Sequence, residues 1–255
     1  MKISASVVTY NNEKEIRGVL TSLINSDCFT NMDVFVVDNC SSDRTCEIVT
    51  EEYPQVKLIR SKTNAGYGGG HNQALRISDT EYHFVINPDI LFDTKLISQV
   101  VEYMDENPDV VMSIPCVYDM DGELKCPPKC DPKFRYLISR FLPRTRITEK
   151  WLREYKRDAD VRAASSPFEI EVCSGSFMAM RRAVAESIGF FDERYFMYFE
   201  DFDISRSIRS KGKIMYLPQY KIIHEGKRAG HHSKAARKML VDSMKKYYQK
   251  WGWKL

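Results

Sequence analysis

The sequence predicts an α/β fold: a mixed, mostly parallel sheet of Rossmann-like type flanked by helices, with a basic helical insertion and a C-terminal helix. Over the first 115 residues, short β-branched runs alternate with helical patterns, as in parallel sheets covered by helices. The residues after those runs are polar or glycine-rich, and an open α/β sheet binds its ligands at the carboxyl ends of its strands. From Lys125 to Arg162 both periods dissolve into Pro, Lys and Arg with interleaved aromatics.

Ile3 to Thr9 reads as the first strand. Ile16, Val19, Leu20, Leu23 and Ile24 then recur at helical spacing, placing an amphipathic helix from near Asn12. Val34 to Asp38 is the second strand; Ser41 and Ser42 are placed to cap the next helix, which Tyr53-Pro54 ends. Val56 to Ile59 and Tyr82 to Ile86 form the third and fourth strands, separated by a glycine-rich turn and a short helix around Gln73 to Ile77. A helix from Asp93 to Glu106 closes this half. The insertion, with Phe134, Tyr136, Phe141, Trp151 and Tyr155, is expected as helical pieces and loops that bind a partner. Then come a strand over Glu169 to Met180, helices over Ala183 to Ile188 and Phe202 to Arg209, and a strand at Ile214 to Leu217. The expected organisation is one domain over 1–230 (halves 1–115 and 116–230, insertion 125–165) followed by a basic amphipathic helix over 231–255.

A chain of 255 residues, 43% hydrophobic and 29% charged, can bury a core without disulfide or metal staples and is neither collagenous nor disordered. Its apolar runs fall far short of the ~18 residues a membrane span needs, and the N-terminus enters a strand directly, so neither signal peptide nor spanning helix is expected. Seven scattered cysteines suggest reduced thiols and a cytoplasmic location. Cys126 and Cys130 lie four apart, but no second Cys or His pair stands nearby to complete a tetrahedral zinc site. The net charge of +3 conceals a division: residues 125–162 carry +7 and residues 231–255 carry +6, which leaves −10 for the rest.

The strand ends carry the chemistry. The first ends Thr9-Tyr10-Asn11-Asn12, the second Asp38-Asn39-Cys40-Ser41-Ser42-Asp43, the fourth Asn87-Pro88-Asp89. A carboxylate and amides in such positions can read a pyrimidine edge and ribose hydroxyls; the structural alternatives are an Asx turn for Asp38 and Asn39 and plain packing for Tyr10. In Asn64 to Asn72 the glycines allow close backbone approach, and a helix N-terminus there offers amides to a diphosphate. A dinucleotide fingerprint would follow the first strand, where no glycine occurs before Gly18. Glu200-Asp201 opens a helix after Tyr195, Phe196, Tyr198 and Phe199, surroundings that raise a carboxyl pKa as a general base requires. Their alternative role is helix N-terminal charge, and Asp203 is expected to bond within that first turn. His83 lies inside a strand and reads as core, His71 is placed to face phosphate, and His231 and His232 suggest mobility.

Together these segments resemble the family 2 glycosyltransferases, inverting nucleotide-sugar enzymes of GT-A fold, and especially their bacterial rhamnosyltransferase-like branch. The resemblance rests on Ser6 to Asn11, Val37 to Asp43, Asn64 to Asn72, Asn87-Pro88-Asp89, Gly175-Ser176-Phe177, and Phe190 to Glu193 running into Glu200 to Asp203, six motifs in order. It implies that 1–115 binds the nucleotide sugar and 116–230 the acceptor. Thr9, Tyr10, Asp38 and Asn39 would hold base and ribose, Asn64 and Gly66 would close over the nucleotide, and Asn11, Gly69, Asn72 and Asn87 would complete the donor site. The family usually presents Asp-x-Asp after the fourth strand; here Asn87 replaces the first acid, as in the rhamnosyltransferase-like branch. Asp89 would hold Mg2+ or Mn2+, with His224 as a second metal ligand, a phosphate contact or a structural histidine. Asp201 is nominated as the catalytic base, with Glu200 second, and Gly175-Ser176 lies near the acceptor or simply packs closely.

The resulting expectation is transfer of a sugar, foremost L-rhamnose from dTDP-rhamnose, to a cell-surface polysaccharide or lipid-linked oligosaccharide; UDP-galactofuranose, UDP-galactose and UDP-glucose are alternative donors. A nucleotide-sugar-binding or scaffold protein without activity is the rival of another class. Nucleic acid is not an expected partner, because the strand ends are acidic. The helix over 234–255 has two readings: peripheral contact with the inner face of the plasma membrane, through Met239, Leu240, Met244 and Tyr247, or docking on the domain.

Overall fold

Sheet and helices follow from where the apolar side chains fall. The computed structural model describes residues 3–125, 127–139, 142–226 and 234–253. Its strands are β1 Ile3–Thr9, β2 Met32–Asp38, β3 Lys57–Arg60, β4 Tyr82–Ile86, β5 Ile90–Phe92, β6 Val110–Tyr118, β7 Leu124–Lys125, β8 Phe168–Glu169, β9 Phe177–Arg181 and β10 Lys213–His224. Its helices are α1 Ile16–Ile24, α2 Thr45–Glu52, α3 Gly66–Ile77, α4 Leu96–Glu106, α5 Phe134–Ile138, α6 Arg146–Tyr155, α7 Asp158–Ala163, α8 Arg182–Ser187, α9 Glu200–Ile208 and α10 Lys234–Trp251.

Among the described residues one sheet runs in the order β3-β2-β1-β4-β9-β6-β10-β5, with β7 on β6 and β8 on β10. The pairs β1–β2, β2–β3, β1–β4 and β6–β10 are parallel, while β9 lies antiparallel between β4 and β6, so both halves of the chain share a single sheet. Every residue of β1 and β4 is buried, as continuous β-branched runs require when helices cover both faces. Ile16, Val19, Leu20 and Leu23 of α1 and Ile97, Val100, Val101 and Met104 of α4 complete the main core.

The sequence expectations need several corrections. Asn64 to Asn72 is not a turn leading into a short helix, since α3 already begins at Gly66 and contains the glycine run. Glycine is a poor helix former, by ~1 kcal/mol per residue, but here tertiary approach decides. Gly66 has φ +75°, and a Cβ on it would stand 2.2 Å from the Phe196 carbonyl oxygen; one on Gly70 would meet Val8 at 2.8 Å. Ser41 and Ser42 do not cap α2: Asp43 accepts bonds from the Thr45 amide (3.0 Å) and hydroxyl (2.6 Å). Helix α1 starts at Ile16 rather than near Asn12, whose side chain accepts from the Tyr10 amide and closes a turn instead. Strands β5, β6 and β7 were not expected. β6 contains Pro115, which cannot donate to the ladder, and β10 answers it with a register shift between Leu217 and Lys221. The single strand expected over Glu169 to Met180 is broken into β8 and β9, because groups between them bond sideways: the Cys173 amide to the Ser205 hydroxyl and the Ser176 carbonyl to the Asn87 amide.

A second, aromatic core joins Tyr136, Tyr155, Val172, Tyr195, Phe199, Phe202, Tyr247 and Tyr248. It draws together the insertion, the segment before α9, α9 itself and α10. The last helix thus docks on the body: Tyr247 and Tyr248 are buried, the Tyr248 hydroxyl donates to the Pro132 carbonyl, and Trp253 stacks on Tyr248 at 4.6 Å. No described helix is long and apolar enough to cross a membrane. Cys126, Phe141, His231 and His232 lie outside the described residues.

Candidate functional site

The carboxyl ends of β1 and β2 form a hydrogen-bonded rim. Thr9 donates to Asp38 (3.2 Å), whose other oxygen accepts the Ser41 amide (3.0 Å). The Asn39 amide donates to the Thr9 carbonyl (2.8 Å), while its side chain donates to the Gly66 carbonyl (2.9 Å) and accepts from the Ala65 amide. Asn64 accepts from the Gly66 amide (2.9 Å). Asn11, at φ 58°, accepts from the Ser42 amide and lays the β1 loop against the β2 loop. Tyr10 projects its ring outward, 56% exposed, at the edge of this rim. Gly69 lies inside α3, close to Ala65.

Two nominated residues are placed differently. The Asn72 carboxamide is buried and spent inside the protein, donating to the Phe191 carbonyl and Glu193 and accepting the Phe191 amide, so it fastens α3 to the segment before α9. His71 does not face a phosphate site: it is fully buried, bonded through Nδ1 to Ser6 at 2.7 Å, and burial pushes its pKa well down. His83 is core as expected, bridging Ser4 and Ser6.

Next to this rim, β4 runs into Asn87-Pro88-Asp89, and β10 brings back His224. The Asp89 carboxylate lies 3.1 Å from His224 Nε2, the Glu225 amide donates to the Asp89 carbonyl, and a Cβ on Gly226 would stand only 1.9 Å from Asp89 Oδ2. Among the described residues, Asp89 Oδ1 and Asn87 Oδ1 are buried acceptors without a hydrogen-bond partner. Buried acceptors normally find partners. The orphaned oxygens of Asn87 and Asp89, with the Asp89 carboxylate against an imidazole nitrogen, are oxygen and nitrogen donors of the kind that suit Mg2+ or Mn2+ when phosphates and waters supply the remaining ligands. No group of three His, Cys, Asp or Glu side chains able to hold a metal occurs among the described residues, so the protein offers only part of a coordination shell here.

The third part of the site is the start of α9. Tyr198 and Phe199 both adopt φ near +70°, an uncommon conformation for bulky residues and one that persists only where the surroundings enforce it. Glu200 and Asp201 follow directly. Glu200 is buried with Oε2 unpartnered, and burial, then the neighbouring Asp201 charge, raises its pKa. Asp201 is raised chiefly by burial, against the opposing effect of Lys129. Asp201 accepts the Phe202 amide at 2.9 Å and lines a small pocket with Pro127, Lys129, Val172 and Ser174, whereas Glu200 is buried beside it. Asp203 does not bond within its own turn as expected: its carboxylate accepts from the Tyr195 hydroxyl, Lys250 (2.7 Å) and Trp251 (2.6 Å), tying α9 to α10.

Sequence reasoning left Tyr67 and Lys129 without a role. The Tyr67 hydroxyl donates to the Gly175 carbonyl, its amide donates to the Phe196 carbonyl, and burial together with the charges of Glu200, Asp201 and Asp89 raises its pKa well above the ordinary value. This phenol therefore marks the place where rim, Asp89 and the α9 carboxylates meet. A lone aromatic inside a glycine-rich run was its signal. An open surface depression lined by Glu13, Lys14, Arg17, Arg44 and Ile48 contains none of these groups.

The comparisons with known proteins agree on the family. The model described as Glycosyl transferase family 2 matches residues 4–189. The N-acetylglucosaminyl-diphospho-decaprenol L-rhamnosyltransferase of Mycobacterium tuberculosis is 26% identical over 210 residues, which are 76% of this chain and 66% of that protein. The chain thus spans about two thirds of that relative's length. The rhamnosyltransferase WbbL of Escherichia coli is 24% identical over 235 residues, covering 86% and 81% of the two chains. Among solved structures, TarS 1-349 of Staphylococcus aureus in complex with UDP-GlcNAc is 22% identical with a TM-score of 0.66, covering 92% of this chain and 61% of that one. The mannosyltransferase PcManGT of Pyrobaculum calidifontis, in complex with GDP-Man and Mn2+, is 20% identical with a TM-score of 0.65 over 97% of this chain and 64% of that one. These last likenesses show the GT-A fold.

Proposed function

The chain belongs to glycosyl transferase family 2, and from that membership we propose that it is an inverting transferase moving a sugar from a nucleotide-diphosphate donor to an acceptor hydroxyl. The observation that carries this reading is the meeting, around Tyr67, of the buried Glu200–Asp201 pair with Asp89 and His224 beside the polar ends of β1 and β2.

The rim of Thr9, Asp38, Asn39, Asn64 and Gly66 takes the nucleoside, with Tyr10 and Asn11 at its open edge. Asp89, His224 and Asn87 would hold Mg2+ or Mn2+, which would supply positive charge to the donor diphosphate. Asp201 is the base: it faces the pocket, and its raised pKa suits proton uptake from an alcohol. The acceptor oxygen gives its proton to Asp201 and bonds to the anomeric carbon. The bond from that carbon to the diphosphate breaks on the opposite face, its electron pair leaving with phosphate, so the configuration inverts. Glu200 keeps the pair from ionising fully, because two adjacent buried carboxyls share the cost of a second charge. Lys129, whose charge favours the carboxylate form of Asp201, tunes it in the other direction.

Two relatives named as rhamnosyltransferases favour rhamnose as the sugar; the donor proposed here is dTDP-L-rhamnose, with UDP-hexoses and UDP-galactofuranose as alternatives, and the acceptor proposed is a cell-surface polysaccharide or lipid-linked oligosaccharide. A thermal-shift panel of nucleotide sugars, with and without Mn2+ or Mg2+, followed by turnover with saccharide and lipid-linked acceptors, tests this. The expected result is cation-dependent stabilisation by a dTDP sugar and its consumption. No stabilisation and no turnover with any nucleotide sugar would refute the proposal.

A further inference from the structure

Residues 142–147, which lead into α6, are all exposed and differ in make-up from the rest of the described surface. Three of the eleven most exposed large hydrophobic side chains among the described residues, Ile138, Leu142 and Ile147, fall within ten residues of one another. Scattered single exposures need no explanation, whereas a cluster ringed by polar groups marks an interaction surface. The Leu142 amide donates to the Ile138 carbonyl, a one-turn spacing that sets these two side chains on the same side of the chain. Ile147 stands in the first turn of α6, 62% exposed.

Cations neighbour these tips along the chain. Residues 142–153 carry Arg144, Arg146, Lys150 and Arg153 against Glu149, a net +3. Arg146, Lys150 and Arg153 recur at i, i+4 and i+7, hence on one face of α6, while Thr148 and Tyr155 are buried on the other. Glu149 is taken by Arg153 and Glu154 by Arg135. Arg144, Arg146 and Lys150 form no ion pair among the described residues, so their charge is available.

We propose that this elbow, formed by Ile138, residues 142–147 and Lys150, is a docking surface for an anionic phospholipid bilayer, with Ile138, Leu142 and Ile147 entering the interface and Arg144, Arg146 and Lys150 meeting lipid phosphates. Apolar tips set among unpaired cations match a surface that is negative outside and apolar beneath. A soluble acidic partner would leave the apolar tips unexplained. Helix α10 is the weaker candidate for this contact, because it spends Tyr247, Tyr248 and Trp251 on the protein itself. The anchor also lies in the insertion that supplies Lys129 to the Asp201 pocket, so a docked elbow holds that pocket near the membrane.

Vesicle cosedimentation tests it independently of sugar transfer. The protein is expected to bind phosphatidylcholine vesicles carrying about one part in three of phosphatidylglycerol, and to bind pure phosphatidylcholine far less. Arg144→Glu/Arg146→Glu should lower that binding about 30-fold or more, given the usual contribution of each basic residue near such a surface. Leu142→Asp/Ile147→Asp should lower it as well, and Lys238→Glu/Lys245→Glu on the exposed side of α10 should leave it unchanged. The elbow positions are exposed, so each variant keeps the thermal midpoint of the parent; should one fail to, Arg144→Gln/Arg146→Gln replaces it. Absence of an anionic preference, or loss of binding in the α10 variant with the elbow variants unaffected, would overturn the proposal. So would an elbow-dependent dimer without vesicle binding, which would assign this face to a second copy of the chain.

Discussion

At the ends of β1 and β2 the polar side chains hold one another across short loops, whereas Glu200 and Asp201 rest on an aromatic core gathered from four separate stretches of chain. In the first region Thr9, Asp38, Asn39 and Gly66 are fixed by strand register and by bonds between near neighbours in the sheet. In the second, two left-handed residues lead into α9, and Tyr195, Phe199, Phe202, Tyr247 and Tyr248 keep them so. A ligand rim can be assembled by the sheet alone. A pair of buried acids has to be held against its own repulsion, and here the C-terminal helix supplies part of that support through Lys250 and Trp251 on Asp203.

This contrast can be broken from either side. Tyr247→Ala removes a buried aromatic from the second core and should cost about 3–5 kcal/mol in chemical denaturation, with transfer falling alongside. If the α10 contacts are incidental, activity will survive wherever the protein remains folded. Glu200→Gln probes the cost of the acid pair itself. Because burial raises the Glu200 pKa in the folded state from its ordinary 4.5, the native protein loses stability as pH rises above that value, and Gln does not titrate. The melting temperature of the variant relative to the parent should therefore climb between about pH 4.5 and about pH 8; a difference flat with pH would contradict a raised Glu200. Asp203→Asn weakens the α9–α10 tie and should cost about 2 kcal/mol, with Lys250 partly solvated and so less penalised. Thr9→Val, in the first region, should cost only about 1 kcal/mol, since one bond to Asp38 is lost and the shape is kept. A larger loss than for Tyr247→Ala would reverse the proposed ranking of the two regions.

The same division governs what the sequence reveals. Strands β1, β2 and β4 and helix α1 are legible because period and burial coincide: Ile3 to Thr9 is apolar or small throughout, and α1 repeats every three or four residues. The motif residues after those strands were legible as a set. Strand β6 was not, since Pro115 interrupts it and its partner β10 must bulge to match. The helical glycine run could not be recognised either, because its reason is the approach of Phe196 and Val8, more than 100 and about 60 residues away in sequence. Asn72 and His71 sit in the motif yet turn inward, and Tyr67 turns toward the acids. A motif gives the address of a residue, but its rotamer and the packing around it decide which way it points.

The central claim is that Asp201 accepts the acceptor proton while the strand-end rim and Asp89 hold the donor. Asp201→Asn tests it most directly, with donor binding followed by thermal shift and turnover measured on the same preparation. The account predicts unchanged stabilisation by nucleotide sugar and cation together with a loss of turnover of about 10²–10⁴-fold. Turnover within a few-fold of the parent would contradict it.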